Sequence, residues 1–156
     1  MTAAARWQVQ YERMRRWHER IRSAPTVDDL YVDSVYAFFI FCFHLKDWLR
    51  ADQSVAVEIA DAAEQLINTD FPMQLCADLA NGLKHVSVTR RPRLSGPVTL
   101  STGIPSPEVS STVDDYLGIL PTIHAADGSF IASAPQIADL CVERWDTFLR
   151  QHRLIT

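Results

Sequence analysis

Two short stretches hold most of the side chains able to do chemistry: His44–Trp48, HLKDW, and Asp78–His85, DLANGLKH. His44 and Asp47 are one helical turn apart, so a helix puts them on one face, where a carboxylate can hold an imidazole in a single tautomer. In the second stretch, a rotation of about 100° per residue gathers Gln74, Asp78, Asn81 and His85 into a sector of about 60°. Leu75, Leu79, Leu83 and Val86 form the opposing apolar face. Short, directional side chains at successive turns suit fixed hydrogen bonds better than the long Lys and Glu of a wetted surface. Gly82 costs a mid-helix position up to about 1 kcal/mol against alanine, and is expected where another group approaches the backbone closely.

If the two stripes face one another, His44, Asp47, Asp78, Asn81 and His85 converge in one titratable cluster, as functional sites do. The plain alternative is a polar network that pins two helices together. A metal-binding bundle has suitable ligand types here, but the spacing departs from the Glu-x-x-His pattern and no bridging glutamate is evident, so no metal or cofactor is assigned. Acid–base cleavage of RNA would use a histidine to move protons and a cation or amide to steady the phosphate. Recognition without chemistry is the remaining use. No glycine-rich phosphate loop, nucleophile elbow or paired CxxC occurs in the chain.

The elements that must position these residues follow from periodicity. Residues 4–22 predict a polar helix with Trp7, Tyr11, Met14, Trp17 (or His18) and Ile21 on its inner face. The stretch SAPT at 23–26 ends it. Residues 27–50 predict a long helix, apolar nearly all round and therefore central. Residues 54–67 predict a third helix, opened by a Ser54 cap and ended at Asn68, and Pro72 starts the fourth. Alternation then replaces helical periodicity in VSVTR and PVTLS, with Ser95-Gly96-Pro97 as a turn between them. Residues 101–112, rich in Ser, Thr and Pro, read as a loop. Residues 116–123 and 129–133 flank Asp127-Gly128 as a hairpin. Ser133 and Gln136 form a capping box for a last helix that presents Ile137, Leu140, Cys141, Trp145 and Phe148 inward, with Arg150, His152 and Arg153 at its end.

A chain of 156 residues, 47% hydrophobic and 22% charged, is long and apolar enough for a single domain with its own core. The start lacks the apolar core of a secretion signal, and the greasiest run, at 35–45, is too short to span a bilayer. A cytoplasmic protein with no membrane contact is expected. The thiols of Cys42, Cys76 and Cys141 sit in apolar runs without metal-ligand spacing and are expected to be reduced and buried. The net charge of −4 is uneven: residues 1–22 hold six arginines against two glutamates, leaving −8 for the rest. A second basic cluster comprises Lys84, Arg90, Arg91 and Arg93. Such patches contact phosphate or pair with acidic faces of the molecule itself or of a partner.

The segment NGLKH behind a hydrophobic helix resembles the HEPN superfamily (higher eukaryotes and prokaryotes nucleotide-binding), helical bundles common in bacterial defence and toxin–antitoxin systems. Ribonucleases of that superfamily carry an arginine, commonly followed by asparagine, and a histidine four to six residues beyond the arginine. Asn81-x-x-x-His85 matches the asparagine and histidine, while the arginine slot falls on Ala80, or on Leu79 or Asp78. The resemblance covers helices 27–85 and does not account for the β-rich insertion. It implies a mainly α, HEPN-like four- or five-helix bundle with a β-hairpin-rich insertion at about 86–132. It also implies a homodimer, a protein partner encoded nearby, and RNA or a nucleotide as ligand. Under it, His85 is the acid–base and Asn81 the orienting amide, with Asp47 holding His44 or His85. Lys84, Lys46, Asp78, Arg90 and Arg91 contact the substrate. The implied activity is a weak, metal-independent endoribonuclease, the alternative a catalytically inactive interaction bundle.

Overall fold

The computed structural model describes residues 5–82, the backbone of 83 and 84, and residues 93, 94, 96, 98–101 and 120–156. Among them, helices α1 (Arg6–Ser23), α2 (Asp29–Ala51), α3 (Val57–Thr69) and α4 (Phe71–Lys84) precede strands β1 (Thr99–Ser101), β2 (Thr122–His124) and β3 (Phe130–Ser133). Helix α5 (Ala134–Gln151) closes the chain. The mainly helical architecture with a small antiparallel sheet before the last helix matches the expectation. Among the described residues no helix is long and apolar enough to cross a membrane.

Helix α2 is the central element because its middle is apolar on every side: Val35, Phe38, Phe39, Cys42, Phe43, Leu45 and Leu49 are all buried. Asp28 opens it by accepting the Tyr31 N–H at 2.9 Å, which satisfies one of the unpaired donors of a first turn. Helix α1 lies along α2. Its buried positions are Trp7, Gln10, Met14, His18 and Ile21, so His18, not Trp17, takes the inner place. Gln10 is tolerated there because its amide donates to the Phe41 carbonyl at 3.1 Å.

The third helix starts three residues later than its sequence predicts. Ser54 does not cap it; its N–H and hydroxyl both turn back to the Asp52 carboxylate, at 3.0 and 2.7 Å. The other oxygen of Asp52 accepts the Trp7 N–H at 3.4 Å, tying the end of α2 to the start of α1. These bonds, with those of Ser54 first, hold the Asp52 carboxyl below its ordinary range.

Helix α4 is more buried than a two-faced helix. Met73, Leu75, Cys76, Ala77, Leu79 and Ala80 are all inside, and Gln74, Asp78 and Asn81 are half-buried. At Gly82, a Cβ built on the backbone meets nothing within 4 Å among the described residues, so none of them makes the close approach that was expected.

The sheet has order β1-β2-β3, antiparallel throughout, with Leu100 opposite Ile123 and Ile123 opposite Ala132. Ile123 points into the core. The turn holds Gly128 at φ +82, a left-handed geometry that glycine adopts without strain, and the Gly128 N–H donates to Ala125 O at 2.9 Å. Strand β3 runs directly into α5 through the Ser133–Gln136 capping box. Ile137, Cys141, Trp145 and Phe148 of α5 are buried as expected, while Leu140 is only partly so. The VSVTR segment, the Ser/Thr/Pro-rich 102–112 and residues 116–119 lie outside the described residues.

Candidate functional site

The expected pairing of His44 with Asp47 is present. His44 Nδ1 lies 2.7 Å from Asp47 Oδ2, and since the carboxylate can only accept, Nδ1 carries the proton. Lys46 Nζ sits 2.9 Å from Asp47 Oδ1 and 2.9 Å from Glu64 Oε2 on α3. Burial raises the Asp47 carboxyl, but hydrogen bonds from Lys46 and His44 outweigh it and hold the group below its ordinary value. From Glu64 the band continues to Arg93, 3.9 Å away, whose Nε donates to Asn68 Oδ1 at 2.9 Å. Phe43 forms the floor, with Lys46 Nζ 5.0 Å and the Arg93 guanidinium 5.4 Å from its ring centre.

Asp78 joins the band, but in a structural part. Its carboxylate accepts the backbone N–H of Arg93 at 3.0 and 3.1 Å and that of Leu94 at 3.1 Å. It therefore anchors the chain arriving from beyond α4. Asp78 of α4 is linked to Lys46 of α2 only by way of Arg93 and Glu64, and among the described residues no side chain of the α4 stripe contacts His44 or Asp47. Among the described residues none hydrogen-bonds the Asn81 side chain. His85, Arg90 and Arg91 lie outside the described residues, as does the side chain of Lys84.

A different surface carries cations used in another way. Arg13, Arg16, Trp17, Glu19, Arg20 and Phe41 line a groove of about 510 Å³ on the outer side of α1. Trp17 stacks on Phe41 with ring centres 6.4 Å apart and planes 18° from parallel. Arg20 lies 5.2 Å over the Trp17 ring and Arg13 lies 5.7 Å over Trp48. Among the described residues, no carboxylate forms an ion pair with Arg13, Arg16 or Arg20. By contrast, Arg15 on the same helix is bound to Asp146 at 2.8 Å. The spacing of Arg13, Arg16, Trp17 and Arg20, three and four residues apart, was the available signal; reading Trp17 as core concealed it.

The third candidate is in the interior. Cys42 of α2, Cys76 of α4 and Cys141 of α5 are free, fully buried, and have sulfurs all within 4.8 Å of one another. Cys76 Sγ donates to the Phe39 carbonyl at 3.6 Å and Cys141 Sγ to the Pro72 carbonyl at 3.4 Å. The Trp145 indole donates to the Cys42 carbonyl at 3.2 Å. Burial pushes the Cys76 and Cys141 thiols well up. Burial raises Cys42 too, but the neighbouring polar groups of Cys141, Cys76 and Trp145 draw it below its ordinary value. The burial of the thiols follows from their apolar runs. Their convergence does not, because positions 42, 76 and 141 have no local spacing that registers it.

No family model, no curated protein and no solved structure matches the chain.

Proposed function

We propose that the chain is an RNA- or nucleotide-directed binding module of HEPN-like build, in which the arginine–aromatic groove of α1 is the contact face. The observation that carries this reading is the juxtaposition of Arg13, Arg16 and Arg20 with Trp17, Phe41 and Trp48 on a chain of net charge −4. A sequence-tolerant single-strand site combines cations that track the backbone with aromatic faces on which bases stack. An acidic protein that binds RNA must also concentrate its cations on one face. Recognition is favoured over cleavage because Lys46 and Arg93 are held by Asp47, Glu64 and Asn68, and Asp78 is committed to the backbone of Arg93 and Leu94. The missing arginine at Ala80 points the same way, leaving a developing phosphorane charge without its usual cation.

The test is fluorescence anisotropy of a labelled single-stranded RNA titrated with the chain at low salt, followed by product analysis in chelator. Binding in the micromolar range or tighter is expected, with weak cleavage or none. Any cleavage should fall by about 10²-fold in His85→Ala, the loss expected for a general acid–base. An RNA that does not bind at low salt contradicts the reading and leaves an interaction-only bundle.

A further inference from the structure

A buried free cysteine is ordinarily a small apolar filler. Three of them drawn from α2, α4 and α5 into one triangle are a different matter, because each contributes a soft donor atom to the same small volume. We propose that Cys42, Cys76 and Cys141 form a three-coordinate site for a thiophilic ion, filled best by a trivalent one such as arsenic(III). Arsenic(III) keeps a lone pair and is pyramidal, so at about 2.3 Å from each of three thiolates it needs sulfurs about 3.5 Å apart. Sulfurs within 4.8 Å of one another need to close by only about 1 Å, a distance on the scale of a cysteine side-chain rotation.

The donor set selects the ion. Three thiolates favour soft ions over oxygen-seeking ones. Zinc in structural sites takes four ligands, and no further His, Cys, Asp or Glu among the described residues joins the triangle. Charge narrows the choice again. The triangle is fully buried against Phe39, Pro72 and Trp145, where uncompensated charge is costly. Three thiolates around a monovalent ion leave two negative charges, around a divalent ion one, and around a trivalent ion none. The reaction with arsenous acid also conserves charge. Three As–O bonds break and three As–S bonds form, and each S–H proton leaves with a hydroxide as water, with no change of oxidation state. The ion would bridge three helices that are distant in sequence, so loading should stabilise the fold by mass action.

The experiment is native mass spectrometry of the reduced full chain with arsenite, both added to the folded protein and present during refolding. One arsenic per chain with the loss of three protons is expected, accompanied by a higher melting temperature and altered Trp145 fluorescence. Each of Cys42→Ala, Cys76→Ala and Cys141→Ala should lose the three-proton adduct and weaken retention at least tenfold. Circular dichroism matching the wild type identifies the folded variants; where one does not fold, the melting shift and proton count of the wild type decide. No adduct in either loading protocol, or an adduct retained unchanged in a folded single variant, overturns the site. Zinc or copper(I) displacing arsenic at equal concentration overturns the trivalent assignment.

Discussion

The polar band across α2, α3 and α4 and the outer groove of α1 are built from the same kinds of side chain, cations beside aromatic rings. In the band, Lys46 sits over Phe43 and also contacts Asp47 and Glu64, while Arg93 sits over the same ring and answers Glu64 and Asn68. In the groove, Arg13 and Arg20 lie on Trp48 and Trp17 with no carboxylate paired to them among the described residues. The difference is one of partners, not residue type. A cation already held by acids adds little attraction for phosphate, whereas one resting on a ring keeps its field for a ligand.

The largest effect that separates the two regions concerns stability. Asp78→Ala strands the backbone N–H groups of Arg93 and Leu94 and should cost about 1–3 kcal/mol, read as a lower urea midpoint. An unchanged midpoint would show that the anchor is dispensable and Asp78 available for other work. Next, Arg16→Glu combined with Arg20→Glu should weaken RNA binding tenfold or more, about 1.4 kcal/mol or above. Its thermal midpoint should stay near the wild type, since both side chains are exposed. A stability loss as large as that of Asp78→Ala would make the groove a structural feature like the band.

Smaller effects sharpen the same contrast. Gly82→Ala should raise stability by up to about 1 kcal/mol, because the added Cβ meets nothing among the described residues and the helix gains propensity. A loss would mean that the glycine accommodates a group outside the described residues. Asp47→Ala should cost well under 1 kcal/mol, less than a buried carboxylate would, because the side chain is 48% exposed. Its pH dependence has a definite sign. A carboxyl held below its ordinary value in the folded state stabilises at pH above the unfolded value and loses that contribution as pH falls through the folded one. The small difference between wild type and Asp47→Ala should therefore shrink on acidification below about pH 4. A difference that grows there would reverse the assignment.

What the sequence revealed and concealed follows one physical rule. Features fixed by near neighbours in the chain were legible: the Ser133–Gln136 capping box, the Asp127-Gly128 turn, the His44–Asp47 pair and the inward positions of α5 other than Leu140. Features decided by distant partners were not. Ser54 is the exception, because the carboxylate that captures its hydroxyl and keeps it from capping α3 belongs to Asp52, only two residues away. Trp17 and His18 are equally placed by periodicity, and the choice falls to His18 because Asp139 of α5 stands within hydrogen-bond reach of it. Asp78 looks like a site carboxylate until the returning chain donates to it. The cysteine triangle is the extreme case, since its three members are brought together only when three helices pack.

The central claim, that the α1 groove and not the α2–α4 band faces nucleic acid, rests on which cations displace counterions. The most direct measurement is the dependence of single-stranded RNA affinity on salt concentration in wild type, Arg20→Gln and Arg93→Gln. Removing one phosphate contact lowers the slope of log affinity against log salt by about 0.7 for a single strand. Arg20→Gln should show that decrease, and Arg93→Gln a slope equal to wild type. A decrease in Arg93→Gln with none in Arg20→Gln would contradict it and move the contact face to the band.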